Sequence, residues 1–393
     1  MTTDQILWTL RDDVVFLNHG SFGACPVPVQ AEQARLRALM ESEPVDFFTR
    51  GHFERLDHAR RNLADFLAAA AAGLVFVPNA TAGVNAVLRS LDCSHGDELL
   101  VTDHAYNACR NALEFVSLAT GAIIKLAPVP FPVRHPEAIV DSVLNAVTAR
   151  TRLALLDHVT SVTAMVMPLE TLVPALQSQG IQVLIDGAHA PGMLALDLDE
   201  LAADFYTGNC HKWLCAPKGA AFLSVNALHR EAVWPLAISH GWNTRRPGRS
   251  LLQDTFDWTG TSDPSPFLCI ATALETMGSI YPGGWDELRQ RNHELVIRGR
   301  NAILARLGGE PDCPDSMLGS MATVQLPVTG AAPDELAKSI HTKLRDMGFE
   351  VPVQTGPDGK LYLRISAQAY NTYGQYEDLA AALPAVLGGA NAG

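Results

Sequence analysis

The 393-residue sequence lacks the features that mark membrane proteins and nucleic-acid binders. No uninterrupted apolar run reaches the roughly 18 residues that suggest a membrane span. Acidic residues outnumber basic ones by 42 to 29, so the formal net charge of −13 disfavours nucleic acid as a partner. The opening segment, MTTDQILWTLRDDVVF, is acidic where a signal peptide is basic. We therefore expect a cytoplasmic protein with no membrane or nucleic-acid partner.

Cysteine is scarce, and its pattern excludes two kinds of site. The seven cysteines are widely spread and form no CxxC pair, which argues against a disulfide framework and fits a reducing compartment. Cys210, His211 and Cys215 lie close together, but their spacing matches no usual zinc-ligand pattern, so no metal is expected. The glycine fingerprint of nicotinamide dehydrogenases is also missing.

What the sequence does contain is an alternation of short β-rich runs with Ala- and Leu-rich helical stretches. This pattern predicts an α/β fold with a mostly parallel central sheet and helices on both faces. A helix is predicted at 55–72, and strand–helix units are predicted at 74–91 and 98–115. Further strands are predicted at 122–129, 152–159, 181–187, 203–208 and 219–225.

The texture changes after about residue 230. Residues 240–266 are rich in Gly, Pro, Ser, Thr and Trp and predict a long ordered loop, which at this length is usually functional. Helices at 267–280 and 284–306 and an alternating tail then predict a smaller α+β domain. We expect a large domain at 22–265 and a small domain made of 1–21 and 266–393.

A carboxylate stands at the end of one predicted strand. The apolar run IQVLIDG contains Asp186 at the carboxyl edge of the sheet, where ligands bind in open parallel sheets. Burying such a group is costly unless it is paired or hydrogen-bonded. One partner would be the protonated pyridine nitrogen of pyridoxal 5′-phosphate (PLP), whose role as an electron sink needs that charge. A turn-capping aspartate is the alternative.

A lysine follows 26 residues later, in the segment YTGNCHKWLCAPKG. Lys212 is flanked by His211 and Trp213 and lies between two predicted strands. Such surroundings lower the pKa of a lysine and favour Schiff-base chemistry. The alternative is a lysine on a surface loop.

The turn at 79–83, Asn-Ala-Thr-Ala-Gly, connects a strand to a helix. Its small residues let the backbone approach an anion, and helix-end N–H groups with a Thr hydroxyl can bind phosphate oxygens. Helix capping by Asn79 or Thr81 explains the same residues.

With these clusters in this order, the chain resembles the class V aminotransferase family of fold-type I PLP enzymes. The likeness runs from about residue 15 to about residue 385, and within the family the chain most resembles isopenicillin N epimerase-like proteins. The matching segments are FLNHGSFGACP (16–26), PNATAGVNAVLRSL (78–91), TDHAYNACRNAL (102–113), LLDHVTSVTAMVMP (155–168), DGAHAPG (186–192), TGNCHKWLCAPKG (207–219), WTGTSDPSP (258–266) and LRISAQAYNT (363–372).

The resemblance implies a role for each matching position. Lys212 would be the Schiff-base lysine and proton shuttle, Asp186 would pair with the pyridine nitrogen, and Tyr106 would stack on the ring. Arg364 would clamp the substrate α-carboxylate. The other implied contacts are Ala80, Thr81, Asn209 and His211 on the phosphate, Thr261 from a partner subunit, His189 on the ring hydroxyl, Ser161 on the cofactor, and Asn18, His19 and Ser21 near the substrate.

Each assignment has a structural alternative. Tyr106 can be a core residue at a helix start, and His19 and His189 can be hydrogen-bonded structural histidines. Arg364 can pair with an internal carboxylate. The arginines at 245–249 can recognise a distal substrate carboxylate, but a solvated loop is the favoured interpretation.

The leading functional hypothesis is an amino-acid epimerase or racemase. Carbon–sulfur bond cleavage is the first alternative, since cysteine desulfhydrases and desulfurases look similar over the same segments. The persulfide cysteine that family desulfurases carry before the carboxylate-binding arginine is missing, because no cysteine follows Cys313. Transamination stays open, and a non-catalytic PLP-binding module is disfavoured by Lys212 and Asp186.

A homodimer is implied by the resemblance alone. Sites in this family are completed by a second subunit, and Thr261 in the long loop is the residue expected to reach across. The expected substrate is a small-molecule amino acid.

Overall fold

The computed structural model describes residues 7–328 and 332–388. Its strands are β1 (Val15–Phe16), β2 (Leu74–Val77), β3 (Glu98–Thr102), β4 (Ile123–Ala127), β5 (Thr151–Asp157), β6 (Gln182–Asp186), β7 (Phe205–Asn209), β8 (Ala221–Val225), β9 (Met321–Gln325), β10 (Phe349–Glu350), β11 (Val353–Thr355) and β12 (Leu361–Ser366).

The α-helices of the described residues are α1 (His19–Phe22), α2 (Val27–Ser42), α3 (Pro44–Arg50), α4 (His52–Leu67), α5 (Ala80–Leu88), α6 (Asn107–Thr120), α7 (Glu137–Asn145), α8 (Leu169–Gln177), α9 (Leu198–Leu201), α10 (Leu251–Phe256), α11 (Ser265–Leu268), α12 (Ile270–Gly278), α13 (Gly284–Leu307), α14 (Pro333–Asp346) and α15 (Tyr373–Gly388).

The large sheet runs β2-β8-β7-β6-β5-β3-β4. Neighbouring strands from β7 to β4 are parallel, and β8 is antiparallel to both β2 and β7. The mostly parallel sheet predicted from the alternating pattern is therefore confirmed.

Both faces are buried along most of the inner strands β3, β5 and β6, which explains why most of their residues are apolar. Leu155 packs on one face in a cluster with Leu113 of α6. Leu156, the next residue along β5, packs on the opposite face with Leu172 of α8. Successive side chains of a strand point to opposite faces, so helices cover the sheet on both sides, as predicted.

The carboxyl ends of the parallel strands bring polar residues to one edge. Asp157 ends β5, Asp186 ends β6 and Asn209 ends β7. Asp157 and Asp186 are register partners, as are Asp186 and Thr207. This edge is where ligands bind in open α/β sheets.

The C-terminal part has the predicted α+β character. Strands β11, β12 and β9 form an antiparallel sheet, and α13, α14 and α15 accompany it. Strand β1 pairs in parallel with β10, which ties the N-terminal segment to this region. The domain limits at 21/22 and 265/266 stay predictions.

The predicted helix at 55–72 begins and ends earlier than expected. Helix α4 ends at Leu67, and Ala68 takes a left-handed conformation with φ of 44°. The alanine run has high helix propensity, but hydrogen bonds to a distant segment determine where the helix ends. The N–H of Asp199 donates to Ala68, and the Asp199 carboxylate accepts from Ala70.

The segment 240–266 is wrongly predicted as loop throughout. It contains helix α10, which begins with a capping box in which Ser250 and Gln253 exchange side-chain and backbone hydrogen bonds. The Ser-x-x-Gln pattern that signals this start is present in the sequence.

The structure bears on two expectations from the sequence, about membrane spans and about disulfides. The described residues include no helix that is both long enough and apolar enough to cross a membrane. All seven cysteines are free thiols, in agreement with the argument against a disulfide framework.

The N-terminal segment passes against the loop that carries Lys212. Gly23 has φ of 71°, and a Cβ there would collide with the carbonyl oxygen of His211 and lie 3.0 Å from Cα of Lys212. Glycine is therefore required twice at this position, for its backbone conformation and for the close approach.

This requirement predicts a difference between two glycine substitutions. Gly96→Ala, with φ of 87° and no neighbour within 4 Å, should lose only the left-handed strain of about 1 kcal/mol in the free energy of unfolding. Gly23→Ala should lose about 1–3 kcal/mol more, because the added methyl group overpacks the Lys212 loop. Urea unfolding of both variants measures the difference. Equal losses would contradict the proposed close contact.

Candidate active site

A cavity of about 280 Å³ opens at the carboxyl edge of β5, β6 and β7. It gathers residues from the N-terminal segment, helix starts and strand ends that are far apart in the sequence. The predicted site residues that line it are Ser21, Ala80, Thr81, Tyr106, Ser161, Asp186, His189, Asn209, His211 and Lys212.

The amine of Lys212 has an altered proton affinity. Burial, and secondly the positive charge of Arg364, lower the pKa of Lys212 to about 7, while Asp186 acts in the opposite direction. Near pH 7 an amine with this pKa is neutral in a large fraction of the molecules, and a neutral amine is a nucleophile. The alternative of a solvated surface lysine does not fit this environment.

His189 contacts the same amine. Its Nε2 lies 3.2 Å from Nζ of Lys212, and Nε1 of Trp213 donates to its Nδ1 at 3.5 Å. Burial holds the pKa of His189 well below its usual value, so the ring is neutral. Since Nδ1 accepts, we assign the ring proton to Nε2, where it can donate to the lone pair of the neutral amine.

Asp186 is fixed by two donors. The thiol of Cys109 donates to Oδ2 at 3.0 Å, and the N–H of Ala188 donates to Oδ1 at 3.0 Å. The side chain is almost fully buried at the end of β6. These contacts satisfy the requirement that a buried carboxylate be hydrogen-bonded.

The turn before α5 has the local form of an anion site. Asn79 caps the helix by accepting from the N–H of Ala82 at 2.8 Å. Oδ1 of Asn209 accepts from the N–H of Ala80 at 2.9 Å, which ties the helix start to the end of β7. Thr81 lies in the first turn and lines the cavity, where backbone N–H groups and the helix dipole favour a phosphate.

Arg364 lies on β12, just behind the cavity wall. Its guanidinium donates to the backbone oxygen of Ser161 and, at 3.1 Å, to Oγ of Ser21. Burial lowers its pKa to about 10, so it stays charged. Within 7–328 and 332–388 it forms no ion pair with a carboxylate, and the alternative of an internal partner is not observed. A buried guanidinium with such partners favours an incoming anion.

The remaining N-terminal candidates lie behind the cavity wall. His19 is fully buried; its Nδ1 lies 2.9 Å from the Tyr370 hydroxyl and its Nε2 lies 3.1 Å from the backbone oxygen of Lys212. Asn18 accepts from Ser21 at 2.6 Å and donates to Glu350 at 3.3 Å. The two residues support the backbone of Lys212 and the side chain of Ser21, and their predicted substrate contacts stay predictions.

Thr261 is exposed and does not line the Lys212 cavity. Its neighbours Gly260 and Ser262 line a separate, largely apolar cavity of about 400 Å³ between α5 and the 256–267 segment. Its predicted contact with a second subunit stays a prediction.

The favoured interpretation of the 245–249 arginines as a solvated loop is wrong for Arg249. This side chain is nearly buried and forms ion pairs with Asp57, at 2.6 Å, and with Asp257. Asp257 also binds Arg60 at 2.6 Å. Arg246 pairs with Asp254 at 3.2 Å. The group is a structural ion-pair network and does not face the Lys212 cavity.

Two side chains close to the Asp186 carboxylate were not among the predicted site residues. Asp157 lines the cavity beside Asp186, and Cys109 donates to Asp186. Asp157 had the same signal as Asp186, an apolar strand ending in an aspartate. Cys109 gave no signal of its own, because a helix-borne thiol is recognised only when the partner it meets is known.

Comparisons with known proteins identify the family. The family model described as Aminotransferase class-V matches residues 42–341. The chain belongs to the class-V aminotransferase family. An isopenicillin N epimerase of Amycolatopsis lactamdurans is 33% identical over 95% of this chain and 96% of its own length. A putative L-cysteine desulfhydrase of Oryza sativa subsp. japonica is 31% identical over 93% of this chain and 82% of its own.

A solved structure supports the fold of this class-V protein independently. The crystal structure of a cysteine desulfurase from Escherichia coli is similar with a TM-score of 0.80, covering 98% of this chain and 97% of that chain. The sequence identity is 20%, so this similarity shows the fold alone. The predicted fold-type I architecture is confirmed.

As a class-V aminotransferase family member, the protein is a PLP-dependent enzyme. The cavity fits that cofactor by its donor set: a neutral-capable amine on Lys212, a buried carboxylate on Asp186 and a helix start at Ala80 and Thr81. In the described residues no group of three or more His, Cys, Asp or Glu side chains is arranged to hold a metal ion.

The lowered pKa of Lys212 predicts the pH dependence of its reactivity. Below about pH 7 the amine is protonated and unreactive, and above it the amine is neutral. The rate at which the apoprotein forms a Schiff base with PLP should therefore rise through about pH 7, and not near the ordinary lysine value of about 10.4. Stopped-flow absorbance across pH measures it.

Arg364→Met provides the matched comparison for this profile. Removing a positive charge that lowers the Lys212 pKa should move the midpoint to higher pH. Because the cofactor's own ionisation is the same in both proteins, the shift reports the amine. A profile that Arg364→Met leaves in place would contradict the electrostatic assignment.

Proposed function

We propose that this PLP-dependent enzyme catalyses proton transfer at the Cα of an amino acid, as an epimerase or racemase of the isopenicillin N epimerase type. The observation that carries the proposal is the Lys212 amine, with a pKa of about 7, in one cavity with Asp186. A general base works best when its pKa lies near the working pH.

Several polar residues in and beside the cavity have separate roles in the proposed reaction. Bound PLP supplies an electron sink for the charge that develops at Cα. Lys212 takes and returns the α-proton at Nζ, and the neutral His189 ring at 3.2 Å keeps that amine oriented. The Asp186 carboxylate would accept a hydrogen bond from the protonated ring nitrogen. Arg364, buried and without a carboxylate partner in the described chain, takes the substrate α-carboxylate in a bidentate pair.

Epimerisation also needs a proton donor on the face opposite Lys212. Tyr106 and His19 are the two candidates from the sequence. Tyr106 lines the cavity and is 47% exposed, whereas His19 is fully buried behind the Lys212 backbone with both ring nitrogens in contact with polar atoms. Burial lowers the pKa of His19 to about 3. We therefore assign the second proton transfer to the Tyr106 hydroxyl.

Carbon–sulfur β-elimination is the second candidate. It begins with the same Cα proton abstraction, and the similarity to L-cysteine desulfhydrases over 93% of the chain favours it. A persulfide relay is not supported, because no cysteine is among the residues that line the described cavity.

A panel of L-amino acids that includes cysteine, together with isopenicillin N, separates the two candidates. The proposal predicts a change of chirality with no release of sulfide, ammonia or keto acid. Chiral chromatography and sulfide detection on the same samples provide the measurement, with Lys212→Ala as the inactive control. Stoichiometric sulfide and keto acid would establish the lyase in its place.

The Tyr106 assignment predicts a split between two activities. Tyr106→Phe should keep exchange of the α-hydrogen with deuterium from solvent, because Lys212 still removes and returns it on one face. It should lose inversion by about a hundredfold, the lower end of a general-acid contribution. Mass spectrometry and chiral chromatography measure the two rates. Parallel loss of both would contradict the two-face assignment.

A further inference from the structure

Two carboxyl groups stand side by side in the cavity. Asp157 and Asp186 are register partners at the ends of the parallel strands β5 and β6. Register partners on adjacent strands lie about 4.8 Å apart and direct their side chains to the same face. Both residues are 4% exposed and both line the cavity. Of the two carboxyl groups, only that of Asp186 has a role in the proposed function.

Helix α6 begins above this pair. Cys109, in its first turn, donates its thiol to Oδ2 of Asp186 at 3.0 Å. A backbone hydrogen bond from Tyr106, the residue that caps the helix, acts on Asp157. Donors therefore serve both carboxyl groups, and the positive end of the helix dipole adds the equivalent of about half an elementary charge.

The positive charge available to the pair is limited. Lys212 is the amine of the cavity and is only partly protonated near pH 7. Arg364 donates to Ser161 and Ser21 and to neither carboxyl group of the pair. His158, the residue after Asp157, is buried and bonded to the Tyr206 hydroxyl at 2.8 Å, and burial lowers its pKa to about 4. Two ionised carboxylates would thus face each other without a matching pair of cations.

Two buried carboxyl groups that share a site repel each other when both are ionised, which favours protonation of one of them. Burial, and secondly the charge of Asp186, raise the pKa of Asp157 well above its usual value, against the opposing hydrogen bond from Tyr106. Asp157 is therefore the member that keeps the proton.

The geometry points to a carboxyl pair in which Asp157 and Asp186 share a single proton, with Asp157 as a positioning residue that leaves Asp186 as the charged member. Asp186 then presents one negative charge to one ring-nitrogen proton, and the neutral Asp157 carboxyl limits its rotation. Only the statement that Asp186 meets a ring-nitrogen proton rests on the proposed function. The number of protons on the two carboxyl groups is a property of the apoprotein.

Isotope-edited infrared spectroscopy of the apoprotein, with ¹³C-labelled aspartate, tests the proton count directly. Wild type at pH 7 should show a protonated-carboxyl band, and Asp157→Asn should lose it. Asp186→Asn should keep a band whose disappearance moves to lower pH, since the charge that raises the Asp157 pKa is gone. No band in wild type, or an unchanged band in Asp157→Asn, would overturn the pair.

Cofactor affinity provides a second test, because a purely structural role of Asp157 predicts a different pattern among its variants. Asp157→Ala should weaken PLP binding by about tenfold, the loss of one hydrogen bond to a charged group. Asp157→Asn should restore affinity to within about threefold of wild type, because the amide imitates a protonated carboxyl. Equal weakening in both variants would mean that Asp157 acts as a charge and would refute the proposal.

The two lines of testing are separable. If Asp157→Ala fails to fold, the infrared comparison and the Asp157→Asn affinity still decide. Failure of the epimerase assay leaves the infrared result untouched. An absent carboxyl band leaves the Cα chemistry of Lys212 untouched.

Discussion

The burial of one amine controls the site. When the loop after β7 packs against the N-terminal segment and β12, Lys212 loses water and faces the charge of Arg364, and its pKa falls to about 7. The neutral His189 ring contacts the same nitrogen. An amine whose pKa lies near 7 can act as both nucleophile and base. The other contacts of the cavity position the groups around this amine.

The fold provides this arrangement through strand ends and one close approach. Parallel strands deliver Asp157, Asp186 and Asn209 to a single edge, so groups distant in sequence become neighbours without long loops. Gly23 lets the N-terminal segment contact the Lys212 loop. The pairing of β1 with β10 and the contact of Ser21 with Arg364 join the two ends of the chain at the same site.

Much of this was accessible from the sequence. Apolar runs and turn residues predict the strands along the chain, and the carboxylate and lysine 26 residues apart lie in one cavity, as their predicted roles require. The end of helix α4 was not predictable, because contacts with Asp199 override the propensity of an alanine run. Cys109 and the Arg249 ion pairs depend on tertiary neighbours that no local pattern encodes. Asp157 carried the required signal, and its significance appears only beside Asp186.

Borohydride reduction of the cofactor-loaded protein, followed by tandem mass spectrometry of its peptides, tests the central claim most directly. Reduction fixes the cofactor to the amine that holds it. The account predicts a pyridoxyl group on Lys212 and none on Lys218, which lies six residues away and donates to the backbone oxygen of Gly23. A pyridoxyl group on any other lysine, or on none, would contradict it.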